Sequence, residues 1–338
     1  MHFPPDFYGK LRDYGELSIV RALSSGLSLF YPPNLQPDNN IISDDFVRSN
    51  NSVETFWNKH TVTTSRFRTT WESDHYFRWL CRTHPLLFEY MEFDTPRAGQ
   101  RVLDYGCGPG NDVYRLLVQS NADRVSAVDV SRRAIELARK RLALYPAITS
   151  RVEFKQIRDS EQLYLPFDAA SFDHINCAGV LMHTSDPRAI LSEFRRVLKH
   201  TGDALVMVYV KPSVYYHLYV PWFLQLYSGR FQGMSTDEAF QRSTDGENCP
   251  ISKCFTIPDF EHLAHDAGFS VEYRGGYFTR TELWVTKRFL GQALNDFVLS
   301  EVHRTALARM SIDERGFPCI ESGFTAGLSG VFRLVPRL

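Results

Sequence analysis

The chain has 338 residues, of which 43% are hydrophobic and 14% aromatic, and its formal net charge is −1. This length allows one large domain or a core with a second lobe, and the apolar content argues against a disordered chain. The balance of 38 basic against 39 acidic side chains gives no electrostatic reason to expect a nucleic acid or a membrane surface as a partner.

The six cysteines are scattered along the chain, without a CxxC pair or a Cys/His spacing typical of a metal site. We therefore expect no metal and a reduced, cytoplasmic protein. The start of the sequence shows no secretory pattern, and no run approaches the roughly 18–20 apolar residues that span a bilayer. The sequence predicts no membrane span.

Residues 1–95 precede the most regular part of the sequence. The stretch 31–40, rich in Pro and Asn, indicates an exposed loop, and helical patterning with many aromatic residues follows from Ser52 to about Met91. We interpret this part as a helical extension that forms a lid. The alternative is that its aromatic residues only pack onto the core.

From residue 101 onward, short apolar runs alternate with helical patterns. Ser131 and Asp186-Pro187 are typical helix starts. Strands separated by helices predict parallel βαβ units in a doubly wound sheet. The predicted strands are 101–105, 124–130, 151–157, 172–178 and 203–210, and the predicted helices are 111–119, 131–144 and 186–199.

The alternation ends after residue 210. Residues 211–250 are aromatic and irregular in pattern and indicate an insertion, and residues 281–310 are again helical. Between and after them we expect a helix at 256–269, a sixth strand at 269–275 and a last strand within 323–334.

A glycine-rich loop follows the first predicted strand in VLDYGCGPGND, residues 102–112. Gly106, Gly108 and Gly110 let the chain turn sharply and let a ligand approach the main chain, and the next helix offers free N–H groups. Asp129 ends the second strand at the spacing of a ribose-binding carboxylate, although it is also placed to cap a helix.

The acidic Asp104 directly before the glycines is unexpected for a phosphate-binding loop, which favours Lys, Arg or bare N–H donors. The Lys-Ser/Thr of a P-loop is absent. A carboxylate in this place favours a ligand with a positively charged amino group. The sequence thus indicates a nucleoside cofactor whose other end is cationic.

These residues carry a family resemblance over roughly residues 96–210. VLDYGCGPG (102–110), VSAVDVSRRAIELARKR (125–141), the stretch 157–187 and ILSEFRRVLKHTG (190–202) resemble successive motifs of class I S-adenosylmethionine-dependent methyltransferases, of the small-molecule, type 11-like group. The turn after the long helix departs from the usual Pro-Gly-Gly and is His200-Thr201-Gly202-Asp203.

The resemblance implies a Rossmann-like sheet of seven strands, mostly parallel with a final antiparallel strand, a helical N-terminal extension and cap insertions. It implies a methyltransferase domain over 96–338 with inserts at 211–250 and 277–322, after the extension 1–95. The cofactor would be S-adenosyl-L-methionine. The residues implied to bind it are Asp104, Gly106, Cys107, Gly108, Gly110, Asp129, Val130, Asp159, Ser160 and Asn176.

Methyl transfer from a sulfonium depends mainly on orientation, and a base is needed only for acceptors such as phenols, hydroxyls or carbon acids. His183, after the fourth strand, is the best candidate base, although a His there can also be a packing residue. His75, His217 and Tyr216 are weaker candidates.

The Pro-Pro motif of DNA-base and glutamine methyltransferases is absent after Asn176. A small organic acceptor, apolar or aromatic and a secondary metabolite, is therefore the leading prediction. Two alternatives stay open: a protein that binds the cofactor to promote a cyclisation or rearrangement, and a non-catalytic binding subunit.

Overall fold

A computed structural model describes residues 52–61, 66–159 and 164–337. The predicted loop at 31–40 and the candidate Ser160 lie outside these ranges. The helices are α1 Ser52–Lys59, α2 Thr70–Thr83, α3 Leu87–Tyr90, α4 Asn111–Val118, α5 Arg132–Leu142, α6 Pro146–Thr149, α7 Pro187–Val197, α8 Thr236–Thr244, α9 Ile257–Asp266, α10 Arg280–Leu294 and α11 Glu301–Ala308.

Nine strands form two sheets within the described residues. They are β1 Arg101–Tyr105, β2 Arg124–Asp129, β3 Val152–Gln156, β4 Phe172–Ala178, β5 Leu198–Tyr209, β6 Phe269–Tyr277, β7 Ser311–Ile312, β8 Pro318–Cys319 and β9 Ser329–Pro336. The large sheet has the order β3-β2-β1-β4-β5-β9-β6, and β9 runs antiparallel to both its neighbours. The predicted seven-stranded sheet with a final antiparallel strand is confirmed.

Local sequence signals explain the helix starts of the core. The Ser131 side chain accepts a hydrogen bond from Ala134 N at the start of α5. Asp186 caps α7, and Pro187 occupies its first turn, where its missing N–H costs nothing. Both predicted caps are confirmed. The central parallel strands β1, β2 and β4 are mostly buried, whereas the edge strand β3 is half-buried.

The fifth strand differs from its prediction because it begins at Leu198 rather than at residue 203. Its pairing with β4 shifts from Phe172–Leu198 to His174–Asp203, so the intervening residues bulge out of the ladder. The predicted turn at 200–203 is absorbed into this bulge. Gly202 is needed there because a Cβ would lie 2.7 Å from the Asp173 carbonyl oxygen.

The expectation of an irregular 211–250 segment is wrong. It contains a wide π-helix, Tyr215–Tyr227, and then α8. Pro221 lies inside the π-helix and hides the helical pattern in the sequence. Apolar side chains of this segment, among them Trp222 and Phe223, pack against Val285 and Phe289 of α10, so tertiary contacts supply the stability that local periodicity does not show.

The two inserts thereby pack against each other and form one cap. Leu299 and Leu307, from the second insert, complete the same apolar cluster. In the part of the chain that the structure describes, no helix is both long and apolar enough to cross a bilayer. All six cysteines are free thiols.

A glycine in β6 provides a test of how closely β6 approaches the segment just before β9. A Cβ on Gly276 would lie 2.0 Å from the Gly327 carbonyl oxygen, so Gly276→Ala must displace backbone. We expect it to lower the free energy of unfolding by about 1–3 kcal/mol in urea denaturation. Gly291→Ala, at an open site in α10, is the control and should raise it by about 0.5–1 kcal/mol. Equal effects would contradict the close approach.

Candidate functional site

The candidate site lies where the strand order of the sheet reverses. β1 lies between β2 and β4, and the chain fills one side of the sheet before it crosses to the other. In such sheets the crevice at the carboxyl ends of the strands is where ligands bind. Asp104 of β1 and Asn176 of β4 are register partners there, and Asn176 Nδ2 donates to Asp104 Oδ1 over 2.8 Å.

In the glycine loop after β1, Gly106 and Gly110 are closely surrounded, whereas Gly108 faces open space. All three glycines have positive φ angles. A Cβ on Gly106 would lie 2.2 Å from Val180 Cγ2, and one on Gly110 would lie 3.0 Å from Ala138 Cβ. A Cβ on Gly108 would have no atom within 4 Å. The open side of Gly108 leaves room for a ligand against the main chain.

Asp129 holds the loop in place from the end of β2. Its carboxylate accepts hydrogen bonds from Gly108 N over 2.8 Å and from Ser131 N over 2.7 Å. Burial raises the pKa of Asp129 to about 6, and the backbone N–H bonds oppose that rise. Each carboxylate oxygen has a second lone pair, so the group keeps acceptor capacity for a ligand hydroxyl. Val130, next in the chain, is half-buried.

Asp104 belongs to a buried polar network beneath the loop. Asn176 also donates to Asp112 Oδ2 over 2.9 Å, and Arg115 donates to Asn176 Oδ1 over 3.0 Å. Asp104 Oδ2 is buried and has no hydrogen-bond partner in the described part of the chain. Burial first, and the Asp112 charge second, raise the pKa of Asp104 to about 8. A buried carboxylate oxygen without a partner suits a cationic donor.

Asp159 lies in the loop after β3, near the loop that follows β4. Ser185 Oγ donates to Asp159 Oδ2 over 2.5 Å, and Asp159 N donates to Glu54 Oε1 over 3.2 Å. Cys107 is buried, and burial raises the pKa of its thiol well above the usual value, which makes it an inert packing group.

The structure places the predicted base His183 in a short 3₁₀ turn, Leu181–His183, after β4. It is buried, and its ring nitrogens lie 2.8 Å from the Ile251 carbonyl oxygen and 3.4 Å from Asp245 Oδ2. Tyr209 OH donates to the same Asp245 oxygen over 3.0 Å. Sequence reasoning missed Asp245 and Tyr209, since neither stands in a motif and 36 residues separate them.

The weaker candidates lie in other surroundings. His217 Nδ1 lies 3.0 Å from His303 Nδ1 within the cap, and Tyr216 donates to Asp237. His75 stacks on the exposed Trp71. Among the described residues, no group of three or more His, Cys, Asp or Glu side chains is arranged to hold a metal ion.

Helix α1 contacts the loops that follow three different strands. Ser131 Oγ donates to Asn58 Oδ1 over 3.2 Å, Glu54 accepts from Asp159 N, and the Trp57 ring lies 5.0 Å from the His183 ring. The helix therefore covers the crevice described above. No sequence motif marks these contacts, because each joins the extension to a residue 70 or more positions away.

Residues 96–227 match the sequence model of a family described as a methyltransferase domain. S-adenosylmethionine is the cofactor that this match implies, and the residues present fit it. The unpartnered Asp104 Oδ2 suits an ammonium group, and the open side of Gly108 leaves room beside the main chain.

Similar proteins include an uncharacterized 37.1 kDa protein of transposon TN4556 from Streptomyces fradiae, 39% identical over 33% of this chain and 30% of its own. A ubiquinone biosynthesis O-methyltransferase of Neisseria meningitidis is 29% identical over 44% of this chain and 61% of its own. The chain thus spans less than two thirds of these relatives. A solved methyltransferase from Aquifex aeolicus covers 59% of this chain and 90% of its own, with 19% identity and a TM-score of 0.39.

The raised pKa of Asp104 has a consequence for stability. A carboxyl whose pKa rises on folding stabilises the fold below its unfolded pKa and loses that contribution as pH rises through the folded value. Between pH 7 and 9 the ionisation of Asp104 should therefore lower the free energy of unfolding by about 1 kcal/mol.

Asp104→Asn keeps an oxygen for Asn176 Nδ2 and removes the charge, so this pH dependence should disappear. Urea unfolding at pH 7 and pH 9 gives the change in the free energy of unfolding for each protein. Subtracting one change from the other removes the contribution of the titratable groups that both proteins share. An identical pH slope in the two proteins would mean that Asp104 does not carry a raised pKa.

Proposed function

We propose that the protein transfers the methyl group of S-adenosylmethionine to a small organic acceptor. The observation that carries this proposal is the buried, unpartnered Asp104 Oδ2 directly below a glycine loop with an open side, within a methyltransferase domain. The cofactor, when bound, supplies an electrophilic methyl group on a positively charged sulfur. The protein then has to hold the cofactor and align the acceptor behind that methyl group.

Each part of the site would hold one part of the cofactor. Asp104 and the main chain of 106–110 would hold the methionyl end, where the ammonium would give Asp104 Oδ2 the partner that it lacks. Asp129 would accept from the ribose hydroxyls while it keeps its bonds to Gly108 and Ser131. Val130, Asp159 and Ser160 would surround the adenine. Cys107 and Asn176 would lie beside these groups.

Helix α1 would act as the lid of this site and define the extension 1–95 as a unit separate from the domain 96–338. Its three contacts reach the ribose side at Ser131, the adenine side at Asp159 and the acceptor side at His183. A helix in this position excludes water from the reacting groups, which strengthens the electrostatic contacts inside. Cofactor exchange would then require α1 to move away.

The acceptor would enter between α1 and the cap, the inserts 211–250 and 277–322. Aromatic rings face this side: Tyr209 lies 5.6 Å from the His183 ring, and Phe240 lies 5.9 Å from Tyr209. Such surroundings favour an apolar or aromatic acceptor, such as a secondary metabolite, over a nucleic acid. The free thiols and balanced charge support a cytoplasmic location.

The ribose assignment can be tested with a variant of Asp129. Asp129→Ala removes both the acceptor for the ribose and the anchor of Gly108, so the Kd for S-adenosylmethionine should rise at least about tenfold, the equivalent of one charge-assisted hydrogen bond. Isothermal titration calorimetry measures the Kd. Unchanged binding would show that Asp129 does not hold the ribose.

The matched control is Asp266→Asn, since Asp266 forms an exposed ion pair with Arg188. This variant should bind S-adenosylmethionine as the wild type does. Asp129→Asn, which keeps one carbonyl oxygen, should lie between the wild type and Asp129→Ala.

A further inference from the structure

A polar cluster of His183, Asp245 and Tyr209 lies on the acceptor side of the proposed cofactor site. It joins three separate parts of the chain: the turn after β4, the loop after α8 and the end of β5. Asp245 Oδ2 is the common point, 3.4 Å from His183 Nε2 and 3.0 Å from Tyr209 OH. The cofactor-binding roles proposed above make no use of Asp245 or Tyr209.

The hydrogen bonds assign the tautomer of His183. A carbonyl oxygen only accepts, so Nδ1, 2.8 Å from the Ile251 oxygen, carries a hydrogen. In the neutral ring Nε2 is then an acceptor, and it faces the Asp245 carboxylate, which also only accepts. Two facing acceptors are satisfied when one proton lies between them. The His183–Asp245 pair therefore presents two facing acceptor atoms that one proton can bridge.

Exposure shows where this pair can be reached. The Asp245 side chain is 23% exposed, whereas that of His183 is 4% exposed. Asp245 Oδ1 accepts no hydrogen bond from any residue in the described ranges, while Oδ2 accepts from Tyr209. An incoming hydroxyl group can thus donate to Asp245 Oδ1. Burial, followed by the Asp245 charge, raises the pKa of Tyr209 well above its usual value, so Tyr209 stays a donor.

The remaining groups around the pair are mostly aromatic. Trp57 from α1 lies 5.0 Å from the His183 ring, and Phe240 from α8 packs on Tyr209. Tyr209 and Cys249 are titratable groups that face His183, and the Cys249 sulfur lies 3.9 Å from Nδ1. An aromatic molecule with a hydroxyl group matches the chemistry of these surroundings.

Building on the proposed function, we propose that Asp245 and His183 together accept the hydroxyl proton of a phenolic acceptor during methyl transfer. The acceptor oxygen forms a bond to the methyl carbon, the carbon–sulfur bond breaks, and its electron pair goes to the sulfonium sulfur, which becomes neutral. The O–H proton passes to the Asp245–His183 pair and leaves to solvent through the exposed side of the carboxylate. Tyr209 is a positioning residue, because it fixes Oδ2.

Amine and carboxylate acceptors need no such base, so the choice of acceptor is the first test. Labelled S-adenosylmethionine is incubated separately with catechol, benzylamine and phenylacetate. We expect label in methylated catechol. Label in benzylamine or phenylacetate alone, or no label in catechol, overturns the phenol assignment.

The second test compares variants on catechol. Asp245→Asn should lower kcat by about 10²–10⁴-fold and leave the Kd for S-adenosylmethionine within twofold. Tyr209→Phe keeps the ring and should lower kcat less, by about tenfold, with little change in KM. Glu247→Gln, two residues away in an exposed ion pair with Arg230, is the control and should retain wild-type kcat. Wild-type kcat in Asp245→Asn overturns the proposal.

A readout independent of turnover uses 4-nitrocatechol, whose ionised and un-ionised forms absorb differently. The probe is added to the protein with S-adenosylhomocysteine at a pH where the unbound probe is un-ionised. The wild type should give the spectrum of the ionised form, and Asp245→Asn should not. The same spectrum in both proteins, or no spectral change with the wild type, contradicts proton uptake by the pair.

If calorimetry detects no binding of S-adenosylmethionine, the proposed function is wrong. If the cofactor binds and an amine or carboxylate is methylated, the proposed function stands and the role of Asp245 is wrong. If Asp245→Asn does not fold, Tyr209→Phe carries the kinetic and spectral tests, and wild-type behaviour in both overturns the proposal.

Discussion

The buried carboxylate of Asp104 is the group on which the arrangement of the site depends. It lies at the point where the strand order reverses, and its register partner Asn176 binds it from the neighbouring strand. A carboxylate at this depth is costly unless charged or polar groups surround it, and Arg115 donates to Asn176, which in turn binds Asp104. The Asp104 oxygen without a partner is placed to accept a hydrogen bond from a cationic group in the crevice. The glycine loop and Asp129 shape the crevice around this oxygen.

The elements added to the sheet meet at the same crevice from two sides. Helix α1 covers the loops after β2, β3 and β4, whereas the π-helix, α8, α10 and α11 form a cap whose apolar cluster is separate from the main core. Asp245 belongs to the cap side, and His183 belongs to the sheet side. The contact between them means that the acceptor side is complete only when the cap is packed in place. Substrate choice would therefore depend on the cap, and cofactor binding on the sheet.

The parallel core was predictable from sequence because its signals are local. Short apolar runs, the glycines after Tyr105 and the capping residues Ser131 and Asp186 each act within a few positions of the chain. The π-helix was not predictable, because Pro221 interrupts the pattern and packing against α10 stabilises it. Asp245 was missed for a related reason: its chemistry arises from contacts with Tyr209 and His183, and no motif spans those separations. The candidate site residues around Asp104 came from motifs, and their cofactor roles stay predictions.

A crystal structure of the protein with S-adenosylmethionine bound would show whether Asp104 binds the cationic end of the cofactor. The methionyl ammonium nitrogen should lie within hydrogen-bond distance of Asp104 Oδ2, with the ribose hydroxyls at Asp129. A complex in which Oδ2 stays without a partner and the ammonium group binds elsewhere would show that Asp104 does not have this role.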